Sequence, residues 1–235
     1  MRVALLTTSL SCRIYFAEKV NNVHPFGLVV VEETAVKPPF DTAHPFETEQ
    51  ESYENSLFFK GGLPTMENVA ATVRVSNIND GESLVAIQNY KPEVLILFGT
   101  RKAKPSILRL CPAIINLHRG DPERYRGLDS HLWQIYHRDF SPFVTTIHRV
   151  NDILDDGEII LQDSFSITKD LAIHKLRSRY VQSAVQLTVS SLDMFSRHGD
   201  FISRPQCKAG RYYSFMPAAI KETCATNYSR YIESL

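Results

Sequence analysis

The stretch Val94-Leu-Ile-Leu-Phe98, which is followed by Gly99, is the most informative part of this sequence for the fold. Five consecutive apolar residues ahead of a turn residue are typical of a strand that is buried on both faces, as in a parallel sheet. Similar apolar runs lie at residues 3–7, 27–31 and 113–117, with helix-like segments between them. This alternation predicts an α/β fold: an open, mostly parallel twisted sheet with helices on both faces.

The remaining segments are interpreted in the same way. Helix caps are expected at Ser11, Asp80 and Thr168, the last of them beginning a long amphipathic helix that runs to about residue 195. Residues 37–66 have no clean period and are expected to form a long loop with one helical turn. The other expected elements are strands at residues 73–75, 143–150 and 158–167, a helix at residues 129–137 and a short helix after Pro217. These assignments predict an α/β domain over residues 1–195 and a C-terminal appendage over residues 196–235.

Composition limits the class of protein. The chain has 235 residues, 43% of them hydrophobic, and 26 basic against 26 acidic side chains, which is ordinary for a globular protein and too apolar for disorder. A net charge of zero gives no electrostatic reason to expect a nucleic-acid partner. No apolar run reaches the roughly 18 residues of a membrane span, and the N-terminus does not resemble a signal peptide. Four scattered cysteines, without a C-x-x-C pair, predict reduced thiols, no metal site and a cytoplasmic location.

Three polar side chains lie where the predicted sheet would carry its chemistry. Asn116 and His118 end one strand with a single residue between them, so they share a face of that strand. Asp155 lies 155 − 118 = 37 residues later, far enough along the chain to return to His118. Taken singly, the histidine is more often a core or surface residue, and Asp156-Gly157 reads as an ordinary turn.

Together these residues belong to a recognisable set of motifs. The set is Ile115-Asn-Leu-His118, Tyr125-Arg-Gly127, Thr145-Thr-Ile-His148-Arg-Val150 and Leu154-Asp-Asp-Gly157-Glu-Ile-Ile160. It resembles the formyltransferases that use 10-formyltetrahydrofolate, the family of glycinamide ribonucleotide and methionyl-tRNA formyltransferases. The resemblance implies that Asn116, His118 and Asp155 are catalytic, that 10-formyltetrahydrofolate is the co-substrate, and that no metal takes part.

The resemblance also implies further site residues. The loop after the central strand would hold the folate, with Phe98, Gly99, Thr100, Arg101 and Lys102. The residues implied for the acceptor substrate are Thr8, Ser9, Arg13, Tyr125, Arg126, Gly127 and Trp133. His148 matches a position in the strand before Asp155 that is expected to be structural.

Several departures from the family pattern narrow the choice of acceptor substrate. Residues 119–124 replace the Ser-Leu-Leu-Pro segment of relatives, and the loop 7–13 lacks the glycines that cradle a ribonucleotide phosphate. Because only about forty residues follow the long helix, we do not expect the β-barrel of the tRNA enzyme, and we likewise do not expect the N-terminal domain of a hydrolase. The chain is therefore most similar to sugar-nucleotide N-formyltransferases, which implies a 4-amino-dideoxy sugar on dTDP, UDP or GDP and a homodimer.

Two alternatives remain open at this stage. One is a formyltransferase for another amine, glycinamide ribonucleotide or an amino acid. The other is a catalytically inactive folate- or nucleotide-binding protein, although a binder has no need of an oxyanion donor.

The chemistry of formyl transfer suits the three side chains. The Asn116 amide can donate to the oxygen that becomes negative, and a protonated His118 would add stabilising charge. Asp155 is expected to raise the pKa of His118 or to fix its tautomer. His118, or a water molecule held by Asp155, would take the proton from the attacking nitrogen.

Overall fold

The computed structural model describes residues 1–34, 36–60 and 62–235. Its main sheet has seven strands in the order β3-β2-β1-β4-β5-β7-β8. These are β1 (Val3–Thr7), β2 (Phe26–Glu32), β3 (Thr72–Val75), β4 (Val94–Phe98), β5 (Ala113–His118), β7 (Phe143–Arg149) and β8 (Ile159–Phe165). The first five strands in the order pair in parallel, whereas β7 and β8 are antiparallel. The predicted mostly parallel sheet is confirmed.

Two short strands lie outside this sheet. They are β6 (Tyr125–Gly127) and β9 (Arg211–Tyr213), which pair with each other in parallel.

Helices cover both faces of the main sheet. They are α1 (Ser11–Asn21), α2 (Pro45–Phe58), α3 (Gly81–Tyr90), α4 (Pro105–Leu108), α5 (Ser130–Tyr136), α6 (Leu176–His198) and α7 (Ala218–Ser234). Phe16 of α1 and Val181 of α6 pack on one face, and Ile87 of α3 and Ile107 of α4 pack on the other. The helices on both faces are therefore confirmed.

The apolar residues of β1 and β4 contribute to two hydrophobic cores, one on each face of the sheet. Leu5 and Ile96 point into the first core, and Leu6 and Leu97 point into the second. Burial of each such side chain contributes about 1.5–3 kcal/mol, which explains why the runs do not alternate with polar residues. The chain winds outward in opposite directions from β1 and β4, so a crevice opens beyond the carboxyl ends of these two strands.

The prediction of a loop over residues 37–66 is wrong in its central part. Residues 45–58 form α2, whose first turn has Pro45 in its first position and a carboxylate of Glu47 that accepts from the His44 amide at 3.0 Å. The helix buries Phe46, Gln50 and Glu54, spaced by four residues. Two of these three are polar, so no apolar period marks the helix in the sequence.

Three predicted helix ends also differ from the structure. Ser11 is the first residue of α1 rather than its cap, and its hydroxyl donates to Asn55 Oδ1 at 2.6 Å. Thr168 bonds Asp170, and α6 begins only at Leu176. The helix after Pro217 has 17 residues rather than a few, because it buries Cys224 and Tyr228 in the third core described next.

The C-terminal residues share a core with the rest of the chain. Tyr228 of α7 packs in a cluster with Leu132 of α5, Phe143 of β7 and Tyr180 of α6. Because α6 continues to His198, the predicted boundary at residue 195 falls inside a helix, and a separate appendage stays a prediction. None of the helices in the described ranges is both long and apolar enough to cross a bilayer.

Candidate active site

The three predicted catalytic side chains meet beside the second half of β5. β7 runs antiparallel to β5 and places His148 opposite Asn116, so β7 ends beside Ile114. The turn that follows β7 folds back and brings Asp155 to the Asn116 side chain. Asp155 Oδ1 lies 3.2 Å from Asn116 Nδ2, and its Oδ2 lies 3.5 Å from His118 Nδ1. The structure thus brings together the amide, the imidazole and the carboxylate that the motifs singled out.

Two backbone features set the conformation of the turn that carries Asp155. Asp155 has a φ of 52°, a left-handed conformation that is uncommon for an aspartate. At Gly157 a Cβ atom would lie 1.7 Å from the carbonyl oxygen of Arg149, so only glycine fits there. The Asp156 side chain pairs with Arg126 at 3.0 Å and stays outside the site. The sequence assignment of Asp155, rather than Asp156, to the trio agrees with this geometry.

Asp155 is a buried carboxylate that stays ionised. Burial alone raises its pKa, but the neighbouring His118 and His148 rings and the Gly127 N–H, which donates to Oδ2 at 2.8 Å, hold the pKa below its usual value. Tyr125 and Arg126 precede that glycine in β6, so the main chain of β6 supports the acid.

His118 differs from expectation in its charge. Burial lowers its pKa, and the Asp155 carboxylate opposes this shift without reversing it. Its Nε2 lies 2.8 Å from the Tyr125 carbonyl oxygen, which can only accept, so Nε2 carries a hydrogen. Asp155 does raise the pKa of His118, as expected, but burial lowers this pKa by more, and the Tyr125 carbonyl rather than Asp155 fixes the tautomer. In the neutral ring the Nδ1 lone pair then faces Asp155.

His148 joins the trio, a placement that the sequence did not predict. Its Nε2 lies 3.1 Å from Asn116 Nδ2 and 3.3 Å from Asp155 Oδ1, and its Nδ1 donates to its neighbour's carbonyl at 2.7 Å. Both hydrogens of the Asn116 amide therefore have protein partners. The antiparallel pairing of β7 with β5 makes this contact; the motif around His148 marked the residue in the sequence but not its contact with the trio.

The predicted folate loop borders the site. A cavity beyond β4 is lined by Thr100 and Lys102 of this loop, by Asn116 and Asp155, and by apolar walls such as Leu154. Apolar walls beside a few polar groups are the lining that pockets for aromatic heterocycles usually have. The role of the loop in holding folate stays a prediction.

Two charged side chains of the loop are engaged with the protein. Arg101 pairs with the buried Glu32 at 3.0 Å and donates to Thr34, while the Lys102 ammonium donates to the carbonyl of Asp152. Phe98 and Gly99 lie under the side chain of Arg13, whose Cζ is 3.5 Å from the Phe98 ring centre. These contacts anchor the loop.

The predicted acceptor residues fall into separate places. Thr8, Ser9 and Arg13 lie together at the carboxyl end of β1. Trp133 does not reach the trio, because it stacks on Tyr213 at 5.0 Å and donates from Nε1 to the Ser214 carbonyl.

Gln206 is a further residue at the site that the sequence did not indicate. Its amide donates to the main-chain oxygens of Asp155 and Gly157, at 2.9 Å each. These bonds connect the C-terminal residues to the turn that contains Asp155. Among the described residues, no group of three or more histidine, cysteine, aspartate or glutamate side chains is arranged to hold a metal ion.

Comparison with known proteins gives a family match. The formyl transferase family model matches residues 41–192, more than half of the chain. The methionyl-tRNA formyltransferase of Porphyromonas gingivalis is 27% identical over 177 residues, 74% of this chain and 52% of that protein. The chain thus spans about half the length of the curated relatives it matches.

Two solved structures show the same fold at low identity. HypX from Aquifex aeolicus, in complex with tetrahydrofolic acid, has a TM-score of 0.63 and 16% identity, covering 99% of this chain and 34% of its own. The formyltransferase PseJ from Anoxybacillus kamchatkensis, in complex with UDP-4,6-dideoxy-4-formamido-L-AltNAc and tetrahydrofolate, has a TM-score of 0.54 and 21% identity. That match covers 90% of this chain and 85% of PseJ.

Proposed function

Because the chain belongs to the formyl transferase family, we propose that it moves a formyl group from 10-formyltetrahydrofolate to the amine of a nucleotide-linked 4-amino-dideoxy sugar. The observation that carries this proposal is the meeting of Asn116, His118 and Asp155 at one point beside β5. A protein that only binds folate needs no such grouping of an amide, an imidazole and a carboxylate.

The acceptor is supported by the match to PseJ, which is similar over nearly its whole length and holds a UDP-linked formamido sugar. The curated relatives are methionyl-tRNA formyltransferases, and this chain spans about half of their length. Methionyl-tRNA is therefore the second candidate acceptor. The neutral net charge of the chain favours the sugar nucleotide, because tRNA binding relies on an excess of basic side chains.

The folate co-substrate is supported by both structural neighbours, which hold tetrahydrofolate. The residues that would hold it are those of the loop 98–102, of which Thr100, Arg101 and Lys102 line the cavity, together with Leu97 and Leu154. When bound, 10-formyltetrahydrofolate supplies the formyl carbonyl and the nitrogen that leaves.

The side chains of the trio would handle charge and protons as follows. Asn116 donates a hydrogen bond to the carbonyl oxygen as it becomes negative, which requires release of one of its present partners, His148 or Asp155. His118, neutral at pH 7, accepts the proton of the attacking amine at Nδ1, the nitrogen that faces Asp155. Asp155, ionised and fixed by Gly127, then stabilises the imidazolium.

The test is a panel of nucleotide-linked 4-amino sugars and methionyl-tRNA, each offered with 10-formyltetrahydrofolate. A sugar nucleotide is expected to gain about 28 daltons, the mass difference between a formyl group and hydrogen. Asn116→Ala is expected to lower kcat by about 10²–10³. His118→Ala and Asp155→Ala are expected to lower kcat by about 10²–10⁴.

A matched control is Asp156→Ala, which removes the neighbouring carboxylate that faces Arg126 and is expected to change kcat little. Near-normal turnover in two of the three trio variants contradicts the mechanism. Formylation of methionyl-tRNA alone contradicts the sugar acceptor while leaving the formyl transfer in place.

The proposal extends to assembly and location. Tyr212 on β9 is 53% exposed and Leu128 beside β6 is 37% exposed, which supports this aromatic end of the molecule as the contact of a homodimer. A cytoplasmic location, where a folate co-substrate and a nucleotide sugar meet, is part of the same proposal.

A further inference from the structure

Glu32 is a buried carboxylate that lies outside the trio and outside the motifs described above. It is the last residue of β2 and is 4% exposed. Burial of an ionised carboxylate is costly unless partners surround it. Both oxygens have such partners, because Oε1 accepts from the Ile78 N–H at 3.1 Å and Oε2 accepts from the Arg101 N–H at 3.0 Å. The Arg101 guanidinium supplies the counter-charge, with Nε 3.0 Å from Oε1.

The partners of Glu32 come from two different loops. Ile78 lies in the loop after β3, and Arg101 lies in the loop after β4. β2, β3 and β4 belong to the parallel part of the sheet, so the loops that follow them lie at the same edge. Glu32 therefore joins these two loops to each other and to the end of β2.

Asn79 makes a second connection between the same two loops. Its Nδ2 donates to the Lys102 carbonyl at 3.2 Å, and its Oδ1 accepts from the Lys104 N–H at 2.7 Å. Asn77 holds this side chain in place, because Asn77 Oδ1 accepts from Asn79 Nδ2 at 3.1 Å. The loop 99–104 is therefore bonded at three of its six residues to the loop after β3 and to Glu32.

The same loop keeps main-chain donors that the protein does not use. Thr100 and Lys102 line the cavity that also contains Asn116 and Asp155. Among the described residues, neither the Thr100 N–H nor the Lys102 N–H donates to a protein acceptor. Glu32 occupies the N–H of Arg101, the residue between them. The bonds to Glu32 and Asn79 thus fix the loop while two of its amides stay available to a ligand in the cavity.

We propose that Glu32 is a positioning residue for the folate co-substrate. Through Arg101, it holds the loop 99–104 in the shape that leaves the Thr100 and Lys102 amides free to bind the heterocycle of the folate. The inference rests on the proposed function and adds a residue that does not itself line the cavity. A loop that is already fixed loses less conformational entropy when the ligand binds, so its affinity is higher. Glu32 also neutralises Arg101, which leaves no free guanidinium beside an uncharged ring.

The experiment measures binding of tetrahydrofolate and needs no formyl transfer. Tetrahydrofolate is titrated into the full chain without oxygen, and binding is followed by calorimetry. Glu32→Gln keeps the size of the side chain but has one acceptor oxygen and no charge, so it cannot hold Ile78 and Arg101 together. This variant is expected to weaken tetrahydrofolate binding by roughly 10- to 100-fold, the usual effect of losing hydrogen bonds to a charged group.

Glu33→Gln is the matched control. Glu33 is the next acid in the chain, it is exposed, and it pairs with Arg74 at 3.1 Å on the surface. Its loss is expected to leave tetrahydrofolate binding unchanged, because exposed ion pairs contribute little to structure.

Steady-state kinetics separates positioning from a general loss of structure. Glu32→Gln is expected to raise the KM for 10-formyltetrahydrofolate in parallel with the loss of tetrahydrofolate affinity. The KM for the acceptor and kcat at saturating folate are expected to change little, because Glu32 acts only through the loop. A merely structural role would instead reduce the folded fraction, which lowers the apparent kcat and leaves both KM values unchanged.

Asn79→Ala decides the question independently if Glu32→Gln does not fold. It removes the two bonds to Lys102 and Lys104 at a side chain that is only partly buried, and no charge is left unpaired. This variant is expected to weaken tetrahydrofolate binding by roughly 3- to 10-fold, since neutral hydrogen bonds contribute less than charged ones.

The proposal is overturned if Glu32→Gln binds tetrahydrofolate as tightly as the unmodified protein does, or if Glu33→Gln loses as much affinity. A fall in kcat without a rise in the KM for the folate overturns it as well, and so does unchanged affinity in Asn79→Ala when that variant decides. Failure of the proposed function has a different signature. In that case no sugar nucleotide is formylated, whereas tetrahydrofolate binding still depends on Glu32.

Discussion

At the scale of single residues, two buried histidines without a positive charge distinguish this site. Burial lowers the pKa of His118 and lowers that of His131 much further. Both residues are 5% exposed. In the unfolded chain each histidine titrates near pH 6.5, so the unfolded state binds more protons than the folded state as the pH falls below that value. Folding stability is therefore lost on acidification, before the carboxylates titrate.

His131→Phe tests this linkage. The unmodified protein is expected to lose free energy of unfolding as the pH falls from about 6.5 to 5, by up to about 1.4 kcal/mol per pH unit for each such histidine. The variant is expected to show a shallower fall, measured by urea denaturation at several pH values. His198→Gln, a change at an exposed position on α6, serves as the control and keeps the original slope. Identical slopes for His131→Phe and the unmodified protein would contradict the argument.

At the scale of elements, α2 is joined to α6 by a buried ion pair. Glu54 of α2 is completely buried and accepts two hydrogen bonds from Arg177 of α6. This pair orients α2 beside α1, where Ser11 also bonds Asn55. Loss of one partner leaves the other charge buried and unpaired, which costs far more than the pair contributes.

Glu54→Gln is expected to destabilise the protein by about 3–5 kcal/mol. The double variant Glu54→Leu with Arg177→Met is expected to recover much of that loss, because no unpaired charge remains. Urea denaturation of the three proteins measures both values. Glu67→Gln, which breaks an exposed pair with Arg74, is the matched control and changes little. A double variant as unstable as the single one would show that packing, rather than charge, dominates here.

At the scale of the whole molecule, the C-terminal residues complete both a core and the site. Met216 and Tyr228 pack against Tyr180 and Phe143, and Gln206 bonds the turn of Asp155. Removal of these residues would expose the large aromatic side chains of that cluster to water.

A chain that ends at residue 198 is therefore expected to lose native near-UV circular dichroism and to aggregate on size-exclusion chromatography. Removal of only residues 233–235, which are exposed, provides the control and leaves both measurements unchanged. A shortened chain that keeps a native spectrum and elutes without aggregation would instead support residues 196–235 as a separate appendage.

Several features were predictable from the sequence because they depend on local patterns. The apolar runs of β1, β4 and β5 are buried on both faces, so composition alone marks them as strands of an α/β sheet. The motifs that contain Asn116, His118 and Asp155 have the same spacing in this chain as in the family, so these residues could be identified from the sequence. Helix α2 escaped prediction because it buries Gln50 and Glu54 through polar partners, which produces no apolar period.

The sequence by itself determined the fold class and the identity of the three side chains that meet beside β5. The tertiary structure decided their surroundings: the charge of His118, the contacts of His148 and Gln206 with the site, and the unpartnered state of Arg13. The reason is that strand burial and turn chemistry depend on neighbours along the chain. The pKa of a group and its lack of a partner depend instead on residues that only folding brings near it.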